Sequence, residues 1–469
     1  MANTTRLLIA FVGFFCCSIE AAQTPPAKPN FILIMADNLG YGDIGPFGSK
    51  LHRTPNLDRM AREGRRLTSF YSASGVCTPS RAALMTGCYP RRVGLDWTPE
   101  DGHVLRPVSP NGLHPNEVTI AEVLKKAGYA TACIGKWHLG DQPEFLPTRQ
   151  GFDYYLGLPY SDDMTHATGQ RIGERLRGNQ WPPLPWMENE KVIEAPADHN
   201  QMTQRETAAA LKFIATNKDN PFFLYLPHNM PGSSRQPFSS ERFRGKSKNG
   251  AWGDAVEELD WAAGQIFAAL KKHNIDERTI IIWTSDNGAP RRNPQRGSNG
   301  PLGGWGYTTA EGGMRVPAIV RWPGYIPAGS TSDELCSLMD LHPTFAKLAG
   351  AQLPARKRDG QNIWPLWSPR NAKSPHEHFF YYHTNKLQAV RDQRWKLVLG
   401  ESPKLYDLKV DAAEKHNVAS KHPAIVKHLQ TAAAAATVEL GSDQQAGRNV
   451  RPVGRAKQPT ARIHKKGTE

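Results

Sequence analysis

Cysteine is scarce in this chain. Six are spread over 469 residues, and two of them, Cys16 and Cys17, fall in an N-terminal apolar segment. The other four, Cys77, Cys88, Cys133 and Cys336, are too few for a disulfide framework in a chain this long and leave room for at most one bridge. Long hydrophobic runs are missing too. Leu7 to Ile19 is the one extended apolar stretch, shorter than the ~18 residues a span requires, so no membrane span is expected. Arg6 before it and Ala21 and Ala22 after it give the three-part layout of a secretory signal over residues 1–22. Phe15, not a small residue, precedes the two cysteines, which argues against a lipoprotein signal. An exported protein, periplasmic or secreted, is expected.

Acidic residues are the minority, 44 against 58 Lys and Arg, for a net charge of +14. From Arg448 onward seven basic residues face only Glu469. This segment has few apolar residues and much Gly, Pro and Gln, so residues 441–469 read as a basic disordered tail. A surplus of that kind is read as solvated, and no nucleic-acid partner is expected.

Four apolar runs each end in a polar cluster. Phe31 to Ala36 leads into Asp37-Asn38, Thr131 to Ile134 into Gly135-Lys136-Trp137-His138, Phe222 to Leu226 into His228, and Ile280 to Ser285 into Asp286-Asn287-Gly288. Their lack of alternation suits strands buried on both faces. Helical patterns lie between them: Thr54 to Ala61, Thr119 to Lys126 and Ala255 to Lys272. Alternating strand and helix predict an α/β fold, a large mostly parallel sheet sandwiched by helices, with ligands at the carboxyl ends of the strands. Past a polar linker at Ser368 to Pro375, short runs at Phe379 to Tyr382, Gln388 to Arg391, Trp395 to Leu399 and Lys404 to Asp407 predict a small antiparallel sheet, followed by a helix over Pro423 to Val438. The expected layout is a catalytic domain over 28–370 and a smaller α+β subdomain over 376–440.

Cys77-Thr78-Pro79-Ser80-Arg81 puts a small convertible nucleophile at the start of a helix that Gly87 stops, with an arginine one turn on. Unpaired amides of a first turn and a planar guanidinium suit a sulfate or phosphate group. A buried structural cysteine beside a surface arginine is the plainer alternative. Asp37, Asn38, Asp286 and Asn287 offer hard oxygen donors, which suit calcium, magnesium less, and zinc not at all. Taken singly, either Asp-Asn pair could equally begin a turn.

The run Cys77-Thr-Pro-Ser-Arg-Ala-Ala-Leu-Met-Thr-Gly-Cys-Tyr-Pro-Arg-Arg92 resembles the signature of the type I sulfatases, of the alkaline phosphatase superfamily. Gly135-Lys-Trp-His138, Glu311-Gly-Gly-Met-Arg-Val-Pro317 and Leu405-Tyr-Asp-Leu408 extend the resemblance from about Asn30 to about Asn417. It implies that a maturation enzyme oxidises Cys77 to formylglycine, whose hydrated aldehyde attacks the sulfur of a sulfate ester. The second hydroxyl then expels sulfate. The resemblance also implies one calcium ion held by Asp37, Asn38, Asp286 and Asn287 against the residue at 77, Lys136 on the sulfate, and His138 on a formylglycine hydroxyl, taking its proton.

Three positions depart from the family pattern. Asn38 stands where many relatives carry a second aspartate, which removes one negative charge from the metal site. Gly232 stands in place of a histidine and Gly306 in place of a lysine. Loss of one such charge-stabilising donor typically costs ~10²–10³ in turnover, on the order of 3–4 kcal/mol. His228, Arg235 and Arg291 are the candidates to replace them. The leading expectation is an exported calcium-dependent sulfatase, arylsulfatase-like and acting on a sulfated carbohydrate, with Cys77, Arg81, Lys136 and His138 as catalytic residues. The alternatives are a weakened or inactive relative that binds sulfated glycans, and a phosphate ester hydrolase on the same scaffold. The loop from Leu158 to Asn200 is expected to wall the substrate pocket.

Overall fold

The computed structural model describes residues 28–165, 181–369, 372–443 and 445–464. The segment read as a secretory signal lies outside these residues, as does part of the 158–200 loop. Ten strands form one sheet: β1 (Asn30–Asp37), β2 (Arg65–Leu67), β3 (Ala130–Ile134), β4 (Tyr154–Gly157), β5 (Trp186–Glu188), β6 (Lys191–Glu194), β7 (Phe222–Pro231), β8 (Thr279–Ser285), β9 (Ala318–Arg321) and β10 (Ser330–Ser332). Their spatial order is β10-β2-β9-β8-β1-β7-β3-β4-β5-β6. The five central strands, β8 to β4, are parallel. Antiparallel β9 and β5 flank them, and at one edge β10 again pairs parallel with β2, so the sheet is mixed around a parallel centre. The 158–200 segment is more than a loop, because β5 and β6 extend the sheet edge.

Every residue of β1 is buried, which explains why its sequence shows no alternation. Phe31, Leu33 and Met35 face one apolar layer, built with α2 (Cys77–Thr86), α3 (Ile120–Lys126) and α6 (Leu341–Leu348). Ile32, Ile34 and Ala36 face the other, built with α1 (Pro55–Glu63), α4 (Met202–Asn217) and α5 (Gly250–Lys272). At ~1.5–3 kcal/mol for each fully buried large side chain, β1 alone anchors both layers. Thr119 closes a capping box with Glu122, fixing where α3 begins. Thr54 precedes α1 as expected, but its hydroxyl accepts from the Gly45 amide and does not cap the helix.

The small sheet is present as four antiparallel strands, β11 (Phe379–His383), β12 (Lys386–Arg391), β13 (Trp395–Val398) and β14 (Lys404–Asp407), covered by α7 (Pro423–Leu440). The buried Glu311 carboxylate joins it to the large domain, accepting from Tyr71 at 2.5 Å, Tyr381 at 2.7 Å and Lys396 at 3.2 Å.

The disordered tail does not hold for residues 441–443 and 445–464. Gly454 and Arg455 pair with Asn111 and Gly112, and the chain returns to the large domain. Its basic residues find acidic partners there: Arg451 binds both oxygens of buried Glu117 at 2.7 and 2.8 Å, and Arg455 reaches Glu100. Composition missed this because charge, not apolar burial, fixes the segment. Arg451→Ala leaves the Glu117 carboxylate only the 3.4 Å contact from Arg356 and is expected to lower the unfolding free energy by about 2 kcal/mol in urea denaturation. An unchanged midpoint would mean that the tail rests on the surface without holding it.

Candidate active site

Strand register brings the two Asp-Asn pairs together. Ala36 pairs with Ser285 in the parallel β1–β8 ladder, so the next residues, Asp37 and Asp286, emerge side by side at the carboxyl end of the sheet. The Asn38 amide donates to Asp286 Oδ1 at 3.0 Å, and Asn287 Nδ2 donates to Asn38 Oδ1 at 2.6 Å. Asn38 holds φ +61, a left-handed turn that asparagine tolerates.

Cys77 is the first residue of α2, a helix that Gly87 ends in the left-handed conformation. Its Sγ lies 3.4 Å from Asp37 Oδ1 and 3.9 Å from Asn38 Oδ1. One turn later Arg81, fully buried, donates to Asp286 Oδ2 from Nε at 3.1 Å and Nη2 at 2.8 Å, to Asp37 Oδ1 at 3.1 Å, and to the Lys136 carbonyl at 2.7 Å. Arg81 was expected to grip the oxyanion. Instead its hydrogen bonds clamp the two carboxylates. Lys136, just past β3, gives one N–H to Asp37 Oδ1 at 2.7 Å and one to Ser161 Oγ at 3.1 Å, leaving a third. His138, at φ +62, points Nε2 at the Leu105 carbonyl at 2.9 Å, which leaves buried Nδ1 unpartnered as an acceptor.

Burial alone would raise the Asp37 carboxyl, but Lys136 and Arg81 hold it well below the usual range. Asp286 is pushed up to about 6 by burial and by the Asp37 charge, against the pull of Arg81. Burial also pushes the Cys77 thiol far above its ordinary value, helped by Asp37 and Asp286 and opposed by Lys136 and Arg81. For His138, burial and then Lys136 and Arg81 depress the imidazole, so it is neutral.

Ligand atoms of Asp37, Cys77 and Asp286 all lie within 4.8 Å of one another. Buried Asn287 Oδ1 has no hydrogen-bond partner. Two adjacent carboxylates with an orphaned amide oxygen form a donor set that fits a hard divalent cation.

The sulfatase family model matches residues 29–351. The chain belongs to the sulfatase family. A second family model, N-sulphoglucosamine sulphohydrolase, C-terminal, matches residues 307–438. Steryl-sulfatase of Mus musculus is 38% identical over 464 residues, covering 83% of this chain and 74% of that protein. Arylsulfatase A of Homo sapiens is 38% identical over 457 residues, covering 88% of each. The solved structure of Ps i-CgsB in complex with k-i-k-neocarrahexaose is 31% identical with a TM-score of 0.74, covering 87% of this chain and 92% of that one. The protein is a sulfuric ester hydrolase with the α/β fold expected from the sequence.

In this sulfatase the two departures are rebuilt backbone. A Cβ on Gly306 would lie 2.2 Å from the Gly288 carbonyl oxygen. Gly232 has φ +74, its N–H donates to the Asp37 carbonyl at 3.0 Å, and a Cβ there would meet the Asn229 carbonyl at 2.7 Å and Asp162 Oδ1 at 2.9 Å. His228 has its Nδ1 tied to Glu206 at 2.6 Å, while its buried Nε2 has no hydrogen-bond partner. Arg291 is exposed, whereas its neighbour Arg292 donates to the Ser233 carbonyl at 2.8 Å.

Sequence reasoning missed Ser161, Asp162, Ser233, Arg292 and Tyr307. Ser233 Oγ accepts from Asn38 Nδ2 at 3.0 Å and lies 3.4 Å from the Tyr307 hydroxyl. Ser161 and Asp162 lie past the carboxyl end of β4, as Asn38 lies past that of β1, but the four-residue strand before them gives little signal. Restoring the family residues should destabilise the fold without rescuing turnover: Gly306→Lys is expected to cost on the order of 3 kcal/mol in denaturant, and sulfate release should not rise. A stable, faster Gly306→Lys enzyme would show that this loop has room for a side chain.

Proposed function

We propose that this sulfatase is exported, carries formylglycine made from Cys77 by a maturation enzyme, holds one calcium ion, and removes sulfate from a sulfated carbohydrate. One observation carries the reading: Cys77 sits against Asp37 and Asn38 in a setting that keeps its thiol protonated. A neutral thiol is a poor nucleophile, so the cysteine itself is unsuited to the attack and suited to conversion. The aldehyde hydrate would supply a hydroxyl nucleophile and an oxygen ligand in place of sulfur. Calcium would supply Lewis acidity toward an ester oxygen.

The chain's own groups have separate tasks. Asp37, Asn38, Asp286 and Asn287 would hold the ion, and Arg81 keeps the two carboxylates aligned. Lys136 offers its remaining N–H to the sulfate group. His138 Nδ1, neutral and unpartnered, would accept a proton from the residue at 77. Arg81 and Lys136 balance Asp37 and Asp286, so a divalent cation makes the centre net positive, which suits an anionic ester.

A carbohydrate substrate is favoured by the oligosaccharide named in the Ps i-CgsB complex and by the N-sulphoglucosamine name of the C-terminal family model. Among the described residues no helix is long and apolar enough to cross a membrane. The complete Cys-Thr-Pro-Ser-Arg run supports the sulfate reading over a phosphate one, because that run is what formylglycine formation requires in the family.

Expression beside a formylglycine-forming enzyme, followed by mass spectrometry of the peptide containing residue 77, is expected to show the aldehyde. Cys77→Ala should fold normally and release no sulfate. Full sulfate release from protein with unmodified Cys77 would overturn the reading.

A further inference from the structure

Asp162 is a buried carboxyl group with no task in the chemistry above. It lies in the turn after β4, 1% exposed, and its Oδ2 has no hydrogen-bond partner. Two neighbouring serines link it to the reaction centre. Ser161 Oγ, which accepts from Lys136 at 3.1 Å, is 3.5 Å from Asp162 Oδ1. The Ser233 N–H faces the Asp162 carboxyl group, and the Ser233 hydroxyl accepts from Asn38. Asp162 Oδ1 also stands 2.9 Å from where a Cβ on Gly232 would be, and the Gly232 amide is bonded to Asp37. The glycine and the carboxyl group share one space: any side chain at 232 would displace Asp162.

Breaking a sulfate ester at the S–O bond leaves an alkoxide, and for a sugar or alkyl alcohol that oxygen needs a proton as it departs. The groups near the centre are poorly placed to give one. His138 has its N–H on the Leu105 carbonyl, and the one N–H that Lys136 does not give to Asp37 or Ser161 is taken by the sulfate group in the reading above.

We propose that the Asp162 carboxyl group donates the proton to the leaving oxygen of the ester. The proposal rests on the sulfate ester reading of this pocket. The S–O bond to the alcohol breaks as a bond forms from sulfur to the nucleophile at position 77. The O–H bond of Asp162 breaks heterolytically, the alcohol leaves neutral, and the carboxylate regains its proton from water. Burial, and then Asp163, raise the Asp162 carboxyl well above its ordinary value; Lys136 opposes this and Asp37 adds to it. His199 faces the same turn, bonding the Asp162 carbonyl at 3.0 Å. Burial thus favours the protonated form of this carboxyl group, the form that can donate.

The test compares the mature holoenzyme and its Asp162→Asn variant on 4-nitrophenyl, phenyl and 4-methoxyphenyl sulfate. The loss in kcat/KM is expected to grow from under about tenfold on the nitrophenyl ester to about 10²–10³ on the methoxyphenyl ester, because only a poor leaving group needs the proton. The unmodified enzyme supplies a second reading that does not depend on a variant folding. Its kcat/KM for 4-methoxyphenyl sulfate should fall on the alkaline side as Asp162 ionises, with a weaker fall for the nitrophenyl ester. An equal loss on all three esters, no difference in alkaline limb, or the graded pattern appearing in Tyr307→Phe instead would overturn the proposal. A mature enzyme that frees no sulfate from these esters or from a panel of sulfated monosaccharides would overturn the ester-hydrolase reading of the pocket, and this inference with it.

Discussion

Asp37 and Asp286 are wholly buried and adjacent, an arrangement that is untenable without cations. Arg81 reaches both carboxylates and Lys136 reaches one, and these contacts place everything else in the site. Arg81 comes from α2 and Lys136 from the end of β3, so the charges cannot pair unless the helix that begins with Cys77 lies across the carboxyl end of the sheet. The position of Cys77 therefore follows from the neutralisation of the two aspartates. Because both cations are used in this way, the centre carries no surplus positive charge of its own. On the proposed reading, affinity for an anionic ester would then depend on a divalent ion, for which the orphaned Asn287 oxygen and the two carboxylates are a fitting donor set.

A second buried carboxylate does for the domains what Asp37 does for the site. Glu311 binds Tyr71 of the large domain and Tyr381 and Lys396 of the small sheet, and Lys396 in turn pairs with Glu414 at 2.8 Å. Glu311 begins the turn that follows Gly306 and Tyr307, so the loop beside Cys77 is fixed from the side of the small domain. The C-terminal segment adds a third tie through Arg451 and Glu117.

The central strands were legible because burial on both faces removes alternation: Phe31 to Ala36 and Ile280 to Ser285 could hardly be anything else. Asp37, Asn38, Asp286 and Asn287 were legible from their place just after those strands, and the parallel register then makes them neighbours. The role of Arg81 was not legible, since a sequence shows a guanidinium but not the carboxylates that will occupy it. Ser161 and Asp162 follow a strand whose sequence, Tyr-Tyr-Leu-Gly, is too short to be distinctive. Residues 441–443 and 445–464 escaped because long-range ion pairs leave no trace in local composition. The absence of histidine at 232 and lysine at 306 was visible at once, but its meaning was not. Only the backbone shows that those positions are closed to any side chain.

The central claim is that the paired carboxylates exist to hold one hard cation against residue 77. Elemental analysis of the active, purified enzyme tests it most directly. The account predicts one calcium per chain, lost together with sulfate release when Asp286 is replaced by alanine. Full sulfate release from protein that carries no divalent cation would contradict it.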